Sequence, residues 1–380
     1  MDINQLRTEI DGVDRQLIEL FRQRMDISDQ IAAYKQSVGK AIHDPERERK
    51  KLVEVANMVP PELRTSAVML FSTLFELSST QQMKAMDNTT SLADQITAAI
   101  ENTPKQFPQY PIVACQGVEG AYSQIACEKL FRTPNIMYFQ NFEGVFSAIE
   151  NGLCEYGILP IENSTAGSVN RIYDLMAQHN CYVARSVRLK IDHSLLTKKG
   201  VKKEQIREIF SHEQAISQCA EFLKTMPNVT VTVVENTAVA AKMVAESSRD
   251  DVAALSSHSC ASLYGLECLA PSVQDKGNNY TRFICISKNL EIYPGADRTS
   301  IMCVVPHRPG SLYKVLSRFF ALGINLQKLE SRPIPDRDFE YMMYFDFDTP
   351  LYSREFVQVI SELETMCEDF RYFGSYSEIV

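Results

Sequence analysis

A short polar run, Asn278 to Phe283, combines two amides, a phenol, a hydroxyl and a guanidinium directly before the apolar segment Ile284–Ser287. Polar side chains that lead into a buried strand are well placed to bind a small charged ligand. The same residues could equally form only a turn, because asparagine favours turn conformations. The run alone leaves both interpretations open.

Two cations near the start of the chain are a second candidate site. A helical pattern begins at Asp2, which with Gln5 forms a capping-box-like start, and continues to Gly39. Arg24 and Lys35 fall on its apolar face and are separated by about 20° around the axis. Cations on an apolar face are costly unless anions pair with them. The pattern therefore predicts either an anionic ligand or a salt bridge to a partner helix.

Two further helices are expected, one capped by Asp44 and stopped at Pro60, the other from about Glu62 to Met86. They carry the candidate side chains Arg47, Glu48, Ser78 and Gln82. Taken alone, the charges of the second helix are also explained as a solvated face. Three helices, one of them very long, cannot bury the apolar face within one chain, so we expect dimerisation through the long helix.

These residues together resemble the all-helical class of chorismate mutases over residues 1 to about 90. The positions that carry the resemblance are Leu6, Arg7, Arg24, Lys35, Asp44, Arg47, Glu48, Ser78 and Gln82. The resemblance implies a dimer with shared sites, in which Arg7 reaches the partner's pocket. Helical geometry agrees, because Arg7 lies about 100° from Arg24 around the helix.

The resemblance also implies roles for these residues in rearranging chorismate, which has two carboxylates and an ether oxygen. Arg7 and Arg24 would hold the carboxylates. Negative charge builds on the ether oxygen as its C–O bond breaks, and hydrogen-bond donors stabilise that charge. The remaining roles are these: Lys35 and Gln82 donate to the ether oxygen, Arg47 supports the site electrostatically, Glu48 holds the substrate hydroxyl, Ser78 assists positioning, and Asp44 is a cap and wall residue.

Composition excludes several classes of function. The chain has 380 residues, 45% hydrophobic and 23% charged, with a net charge of −9, which argues against nucleic-acid binding and predicts two or three domains. Ten scattered cysteines without close Cys/His spacing indicate free thiols rather than disulfides or a zinc site. No signal peptide or membrane span is visible, so we expect a soluble, cytoplasmic protein with no membrane partner.

The middle of the chain alternates predicted strands and helices after a linker at 91–110, which includes one short helix near Ser91–Glu101. Strands are predicted at Ile112–Cys115 and Tyr156–Ile161, each followed by a polar loop and a helix start. Free backbone N–H groups at such starts attract anions. The pattern predicts an α/β domain with parallel-rich sheets and two lobes around a ligand cleft.

Residues 111–288 resemble prephenate dehydratases, whose fold has two lobes like periplasmic binding proteins. The motifs are Gly120–Ser123, Leu159–Ser164, Ser211–His212 and Asn279–Phe283. The resemblance implies that prephenate loses carbon dioxide and its ring hydroxyl to give phenylpyruvate. Thr281 would donate a hydrogen bond to the leaving hydroxide. Asn163, Ser211 and Gln218 would position the substrate, and Arg282 or the helix starts would bind a carboxylate.

Other polar groups in this region have weaker claims. Ser123, Glu162 and Thr165 are further candidates for the substrate site. His212 could be a general base, although a role in the turn is also open. Cys260 could be a thiol nucleophile, but no step of this chemistry requires one.

The last segment, 299–380, predicts the order βαββαβ, as in ferredoxin-like folds, with helices at Gly310–Leu322 and Ser353–Met366. Its motifs Arg308–Leu312 and Leu329–Pro333 resemble the ACT regulatory domains of prephenate dehydratases. The resemblance implies L-phenylalanine as effector at an interface between paired sheets. The contacting residues would be Gly310, Ser311, Leu312, Glu330 and Ser331. A dimerising module without a ligand remains an alternative.

The sequence as a whole predicts a multidomain chain with a helical mutase domain at 1–90, a dehydratase domain at 111–288 and a regulatory domain at 299–380. Its substrates are chorismate and prephenate, its assembly is a homodimer or larger, and neither reaction requires a metal or organic cofactor. The alternative is a non-enzymatic sensor, a two-lobed binder of small anions. Turnover of chorismate and prephenate without added metal discriminates between the two.

Overall fold

The computed structural model describes residues 2–40, 44–85, 91–321, 323–335, 337–349 and 354–380. The chain forms two compact units, Met1–Ser91 and Leu92–Val380. Within the described segments, no helix has both the length and the apolar character needed to cross a membrane.

The first unit consists of three helices, as predicted: α1 (Ile3–Val38), α2 (Pro45–Asn57) and α3 (Arg64–Ala85). The carboxylate of Asp2 caps α1 in a capping box with Gln5, and Gly39 ends the helix in the left-handed conformation, at φ 64°. Asp44 caps α2 by accepting a hydrogen bond of 3.1 Å from the backbone N–H of Arg47. The predicted end of the third helix, Met86, lies outside the described residues.

The apolar face of α1 is largely uncovered in the single chain. Only Ser28 and Ala32 are buried along its 36 residues. Apolar side chains in its first half, such as Ile10 and Leu17, are 58% and 55% exposed. An amphipathic helix is stabilised mainly by packing its apolar face against another surface.

The second unit begins with α4 (Ser91–Asn102) and continues as an α/β region with two sheets. Its elements are β1 (Ile112–Gln116), α5 (Tyr122–Leu130), β2 (Asn135–Phe139), α6 (Phe142–Glu150), β3 (Tyr156–Asn163), β4 (Gly167–Ser168), α7 (Asn170–Gln178), β5 (Tyr182–Lys190), β6 (Ser194–Thr197), β7 (Glu208–Ser211), α8 (Glu213–Gln218), α9 (Ala220–Lys224), β8 (Thr230–Val233), α10 (Thr237–Glu246), β9 (Val252–Ser256), α11 (Ser259–Leu263), β10 (Glu267–Ala270) and β11 (Tyr280–Ser287).

The α/β region forms two lobes, as predicted. The first has strand order β5-β11-β3-β1-β2 and the second β10-β6-β9-β7-β8. The chain enters the second lobe after β5 and returns to the first with β11. The sheets are mixed rather than mainly parallel, because β11 runs antiparallel to both β3 and β5 while β1 pairs in parallel with β2 and β3.

The C-terminal part has the predicted order βαββαβ. Its elements are β12 (Arg298–Val304), α12 (Ser311–Ala321), β13 (Leu326–Pro333), β14 (Tyr341–Asp348), α13 (Arg354–Met366) and β15 (Asp369–Ile379). Two predicted helix ends, Leu322 and Ser353, lie outside the described residues. The antiparallel strands lie in the order β13-β14-β12-β15.

The end of β15 joins this sheet to the first lobe. Ser377 pairs with Arg185 of β5 in parallel, which makes one ten-stranded sheet. Gly374, at φ 127°, lies close to the backbone of β5, because a Cβ there would lie 2.7 Å from the carbonyl oxygen of Val183. Only glycine fits that position.

The helix predicted within the linker is α4, and it is part of a hydrophobic core. Its residues Ala93, Ile96 and Ala99 are buried. Ile96 belongs to the same cluster as Ile301 of β12 and Ile360 of α13. The first part of the segment 91–110 therefore packs into the C-terminal part rather than spanning open solvent.

Candidate active sites

A cavity of about 800 Å³ in the helical unit is bordered by α1, α2 and α3. Each of the three helices contributes polar candidate residues to its lining. The residues predicted for the mutase site that line it are Arg24, Lys35, Asp44, Arg47, Glu48, Ser78 and Gln82.

Arg24 and Lys35 contribute positive charge to this cavity. Arg24 donates from Nη1 to the carbonyl oxygen of Leu74 at 2.7 Å and to the Ser78 hydroxyl, so these contacts are with neutral groups. Burial lowers the pKa of Arg24. Burial also lowers the pKa of Lys35, and the nearby Asp44 carboxylate only partly offsets it. A bound carboxylate would favour the charged forms of Arg24 and Lys35 and so raise the pKa of both.

Gln82 and Arg7 occupy contrasting positions. Gln82 is 7% exposed, and among the described residues its Oε1 has no hydrogen-bond partner. That oxygen can accept a hydrogen bond from a ligand. Arg7 is exposed on α1 and lies about 25 Å from Arg24 along the helix axis, so the chain does not bring it to its own cavity.

A second cavity, about 550 Å³, lies between the two lobes of the α/β region, and we call it the cleft. The first turns of α5 and α10 and the N-cap residue of α7, Val169, border it, together with β3 and β11, which places several helix N-termini around one space. Its polar lining includes Ser123, Asn163, His193, His212, Gln218 and Thr281.

The hydrogen bonds of Asn163 and Thr281 define the centre of this lining. The two residues pair across β3 and β11, and Asn163 Nδ2 donates to Thr281 Oγ1 at 2.9 Å. Asn163 Oδ1 accepts from the backbone N–H groups of Thr165 and Ala166, both at 2.9 Å. These donors fix which end of the amide faces Thr281. Because Thr281 Oγ1 accepts from Asn163, its own hydrogen is available to a ligand.

A second layer of hydrogen bonds surrounds this pair. Asn279 Nδ2 donates to Gln218 Oε1 at 2.8 Å, and Gln218 Nε2 donates to Thr165 Oγ1 at 3.1 Å. His193 Nε2 lies 3.1 Å from Gln218 Oε1 and must carry the hydrogen, because that oxygen only accepts. Burial lowers the pKa of His193, although the hydrogen bond to Gln218 acts in the opposite direction. The net lowering favours the neutral form of the ring.

His193 is not among the residues that the sequence predicts for this site. It lies where the chain crosses between lobes, 25 residues before Gln218, and no periodic spacing relates the two positions. Only the fold brings them together.

Two predicted substrate-binding residues do not reach the cleft. Ser211 is fully buried and donates its hydroxyl to the carbonyl oxygen of Leu255 at 2.8 Å. Arg282 follows Thr281 within β11, and neighbouring side chains lie on opposite faces of a strand. Because Thr281 faces the cleft, Arg282 points away from it. Its guanidinium pairs instead with Asp346 and Glu162. Of the two predicted partners for a substrate carboxylate, Arg282 or the helix starts, the position of Arg282 therefore favours the helix starts.

The remaining candidates have structural contacts. His212 caps α8, and its Nδ1 accepts from the backbone N–H of Gln214 at 3.2 Å. Ser123 lines the cleft but donates its hydroxyl to the Gln116 carbonyl oxygen at 2.6 Å. The thiol of Cys260 is buried against the Gly120 carbonyl oxygen. All ten cysteines are free.

A third cavity, about 460 Å³, lies in the C-terminal part. Ser311 and Leu312 of the predicted effector site line it, directly after Gly310, whose φ is 86°. Glu330 and Ser331 are not part of its lining. They lie on the edge strand β13, where Glu330 accepts a hydrogen bond of 2.6 Å from Ser168.

Among the described residues, no group of three or more His, Cys, Asp or Glu side chains is arranged to hold a metal ion.

Comparison with known families matches both regions of the chain. Residues 6–83 match the family model for chorismate mutase type II, and residues 113–291 match that for prephenate dehydratase. A bifunctional chorismate mutase/prephenate dehydratase from Aquifex aeolicus is 28% identical over 377 residues, covering 99% of this chain and 98% of the relative.

Further relatives match the second unit. An arogenate dehydratase/prephenate dehydratase from Arabidopsis thaliana is 36% identical over 296 residues, covering 75% of this chain and 76% of the relative. A prephenate dehydratase structure from Arthrobacter aurescens, in complex with L-Phe, has a TM-score of 0.64 at 26% identity and covers 70% of this chain and 89% of that one. The chain therefore belongs to the bifunctional chorismate mutase/prephenate dehydratase family, with the mutase in the helical unit and the dehydratase in the α/β region.

Proposed function

We propose that Thr281 is the hydrogen-bond donor of the dehydratase reaction. Prephenate loses carbon dioxide as its C–C bond breaks, the electron pair enters the ring, and the ring hydroxyl leaves and takes up a proton to become water. The bond from Asn163 to Thr281 Oγ1, at 2.9 Å, supports this role because it turns the threonine hydrogen towards other acceptors. A donor aimed at the departing oxygen stabilises its developing charge.

The two carboxylates of prephenate require a different partner from Arg282, whose charge lies on the other face of β11. The N-termini of α5, α7 and α10 border the cleft, and their free N–H groups favour anions. Gln218 and Asn163 form the polar wall between these helix starts and Thr281. Gln218 and Asn163 position the substrate. Ser211 does not contact it and only stabilises the surrounding structure through its bond to Leu255.

Replacing Thr281 tests the assignment. Thr281→Ala should lower dehydratase kcat by about 100-fold or more, because one preorganised donor contributes that much in comparable sites. Thr281→Ser keeps the hydroxyl and should retain much of the activity. Mutase turnover should stay at the parent level in both. Near-normal dehydratase turnover in the alanine variant would remove Thr281 from the mechanism.

We further propose that the helical cavity rearranges chorismate as the resemblance implies. Arg24 binds one carboxylate, and Lys35 and Gln82 donate to the ether oxygen while negative charge grows on it. Lys35 and Gln82 line the same cavity, Gln82 is buried there, and burial lowers the pKa of Lys35, which supports a site where one acceptor oxygen meets both donors. The supporting residues keep their predicted roles: Arg47 adds positive potential, Glu48 holds the hydroxyl, Ser78 positions, and Asp44 caps α2.

Arg7 completes this site from a second copy of the chain. The exposed apolar side chains of α1 support pairing through this helix, and Arg7 is too distant to serve its own cavity. Mixing Arg7→Ala with Arg24→Ala chains tests the sharing, because a mixed dimer contains one site with neither substitution. About a quarter of the parent mutase activity should return after exchange. No recovery in demonstrably mixed dimers would contradict a shared site.

The C-terminal part, residues 299–380, is proposed to be an ACT domain that binds L-phenylalanine and lowers dehydratase turnover. The cavity at Ser311 and Leu312 supports this, as does the L-Phe complex of the Arthrobacter relative. Glu330 and Ser331 lie on the edge strand β13, where pairing with a second copy would bring them to the other chain's cavity. Dehydratase turnover with L-phenylalanine, and with L-lysine as control, is the test. Turnover that L-phenylalanine leaves unchanged would contradict the proposal.

A further inference from the structure

Strands β3 and β11 carry different chemistry on their two faces. Thr281 pairs with Asn163, and the next pair along the ladder is Arg282 with Glu162. Because side chains alternate along a strand, the first pair faces the cleft and the second faces the C-terminal part. Thr281 and Asn163 are thus each bonded along the chain to a residue whose charge is buried or half-buried.

These ions are held by the C-terminal part. Arg282 pairs with Asp346 of β14 and with Glu162 at 3.3 Å, and its side chain is 6% exposed. Asp346 is fixed from its other oxygen by Ser300, whose hydroxyl donates at 2.6 Å. Lys328 of β13 pairs with Glu162 at 2.5 Å. Arg282 and Asp346 are both largely shielded from water, so removing one of them would leave the other as an uncompensated buried charge.

The ladder between β3 and β11 is irregular at this point. The register shifts by one residue between Arg282 and Phe283, so that Phe283 pairs with Pro160. A bulge interrupts the ladder and bends the strand that contains it. Backbone pairing with β5 stays regular here, with Thr281 opposite Leu189, so the irregularity affects only how the two pairs beyond the shift, including Thr281 with Asn163, are aligned between β11 and β3.

The ion pairs involve both β11, through Arg282, and β3, through Glu162. The positive charge of Arg282 and the bond from Lys328 outweigh the burial that would raise the pKa of Glu162, so the pKa of that carboxyl is lowered. Lys328 also donates to Ser168 of β4 at 2.8 Å, which extends the contact to the loop after Asn163.

We propose that Arg282 and Asp346 are positioning residues for the dehydratase reaction, because their ion pair holds the end of β11 where Thr281 meets Asn163. The inference rests on the role proposed for Thr281. It assigns to the C-terminal part a direct contribution to dehydratase geometry, one that operates without any effector.

Asp346→Asn tests this, since it removes the charge but keeps the size and Asp346 does not line the cleft. Dehydratase kcat should fall about 10- to 100-fold, the effect of a small misplacement of reacting groups, while KM changes little. Mutase turnover should be unaffected. Asp346→Glu, which keeps the charge, should recover part of the lost kcat.

Asp174→Asn is the matched control. Asp174 of α7 accepts two hydrogen bonds of 3.0 and 3.1 Å from the Arg332 Nη2 of β13, so it also joins the α/β region to the C-terminal part. Asp174 is not adjacent in the chain to Thr281 or Asn163. Removing its charge should therefore leave dehydratase kcat unchanged. Equal kcat in folded Asp346→Asn, Asp174→Asn and parent proteins would overturn the inference.

A double variant covers the case in which Asp346→Asn fails to fold. Arg282→Met with Asp346→Leu replaces the pair by apolar groups of similar size, a change that buried pairs often tolerate. A folded double variant with reduced kcat supports positioning, and one with parent kcat overturns it. If Thr281→Ala retains activity, the proposed function fails. If Thr281→Ala is inactive while the pair variants are normal, only this inference fails.

Discussion

Asn163 and Thr281 face each other across β3 and β11, and the amide donates to the hydroxyl oxygen at 2.9 Å. The amide cannot rotate without losing other bonds, because its Oδ1 accepts from Thr165 and Ala166. The direction of the Thr281 hydrogen is therefore set by the backbone of the loop after β3. The loop after β3 thus controls the orientation of the Thr281 hydroxyl, which belongs to β11.

Asn163→Asp should abolish this directional control. A carboxylate oxygen would replace Nδ2 and accept the Thr281 hydrogen, so the hydroxyl would no longer donate to the substrate. Dehydratase kcat should fall by about 100-fold, as for the loss of one donor. Asn141→Asp is the control, because Asn141 caps α6 through its oxygen and aspartate caps equally well. Steady-state assays in which both variants match the parent would contradict the hydrogen-bond assignment.

Gln82→Glu should make the mutase depend on acid. A protonated glutamic acid can donate to the ether oxygen of chorismate, whereas its carboxylate repels the charge that develops there. Mutase kcat of the variant should fall as pH rises through the pKa of the new carboxyl, while the parent shows no such fall. Gln81→Glu adds the same charge one residue away, where the amide contacts Asp29 at 3.2 Å. A pH profile for Gln82→Glu identical to that of the control would remove Gln82 from the donor role.

Local rules predict the helical unit well. Asp2, Asp44 and Gly39 cap their helices through their own side chains or conformation, and these effects act within a few residues. The cavity residues follow from helical periodicity on three consecutive helices. Arg7 is the exception, because the surface that it serves is not present in a single chain.

The position of Arg282 does not follow from local rules. The polar residues from Asn278 are typical of a loop or turn, but β11 begins at Tyr280, and its residues from Thr281 to Ser287 are buried. A strand of that kind has no simple alternation of polar and apolar residues. Its buried partner, Asp346, lies 64 residues further along the chain, beyond any local pattern. The contact between His193 and Gln218 likewise joins residues that are distant in the chain, 25 positions apart, so no local pattern predicts it.

The buried His193 should make the second unit less stable in acid. Burial lowers its pKa below the ordinary value near 6.5, so the unfolded chain binds the proton more readily than the folded one. Its contribution to stability is complete above about pH 6.5 and is lost as pH falls below that value. Denaturation of His193→Gln should therefore show a weaker loss of stability between neutral and acid pH than the parent.

The same change at the exposed His258 provides the control and should leave the parental pH dependence intact. Unfolding is best followed by circular dichroism, since the chain contains no tryptophan. Parallel pH dependence in the parent and His193→Gln would show that His193 does not titrate between the folded and unfolded states.

Ile96→Ala should destabilise the second unit although it lies in the segment that composition marks as a linker. Ile96 is fully buried in the cluster with Ile301 and Ile360, and truncating such a side chain costs about 2–5 kcal/mol. Gln95→Ala, on the exposed side of α4, should cost little. Denaturant titration of both variants measures the difference. Equal stability would mean that α4 only tethers the two units, whereas the expected loss would make it a core helix of the C-terminal part.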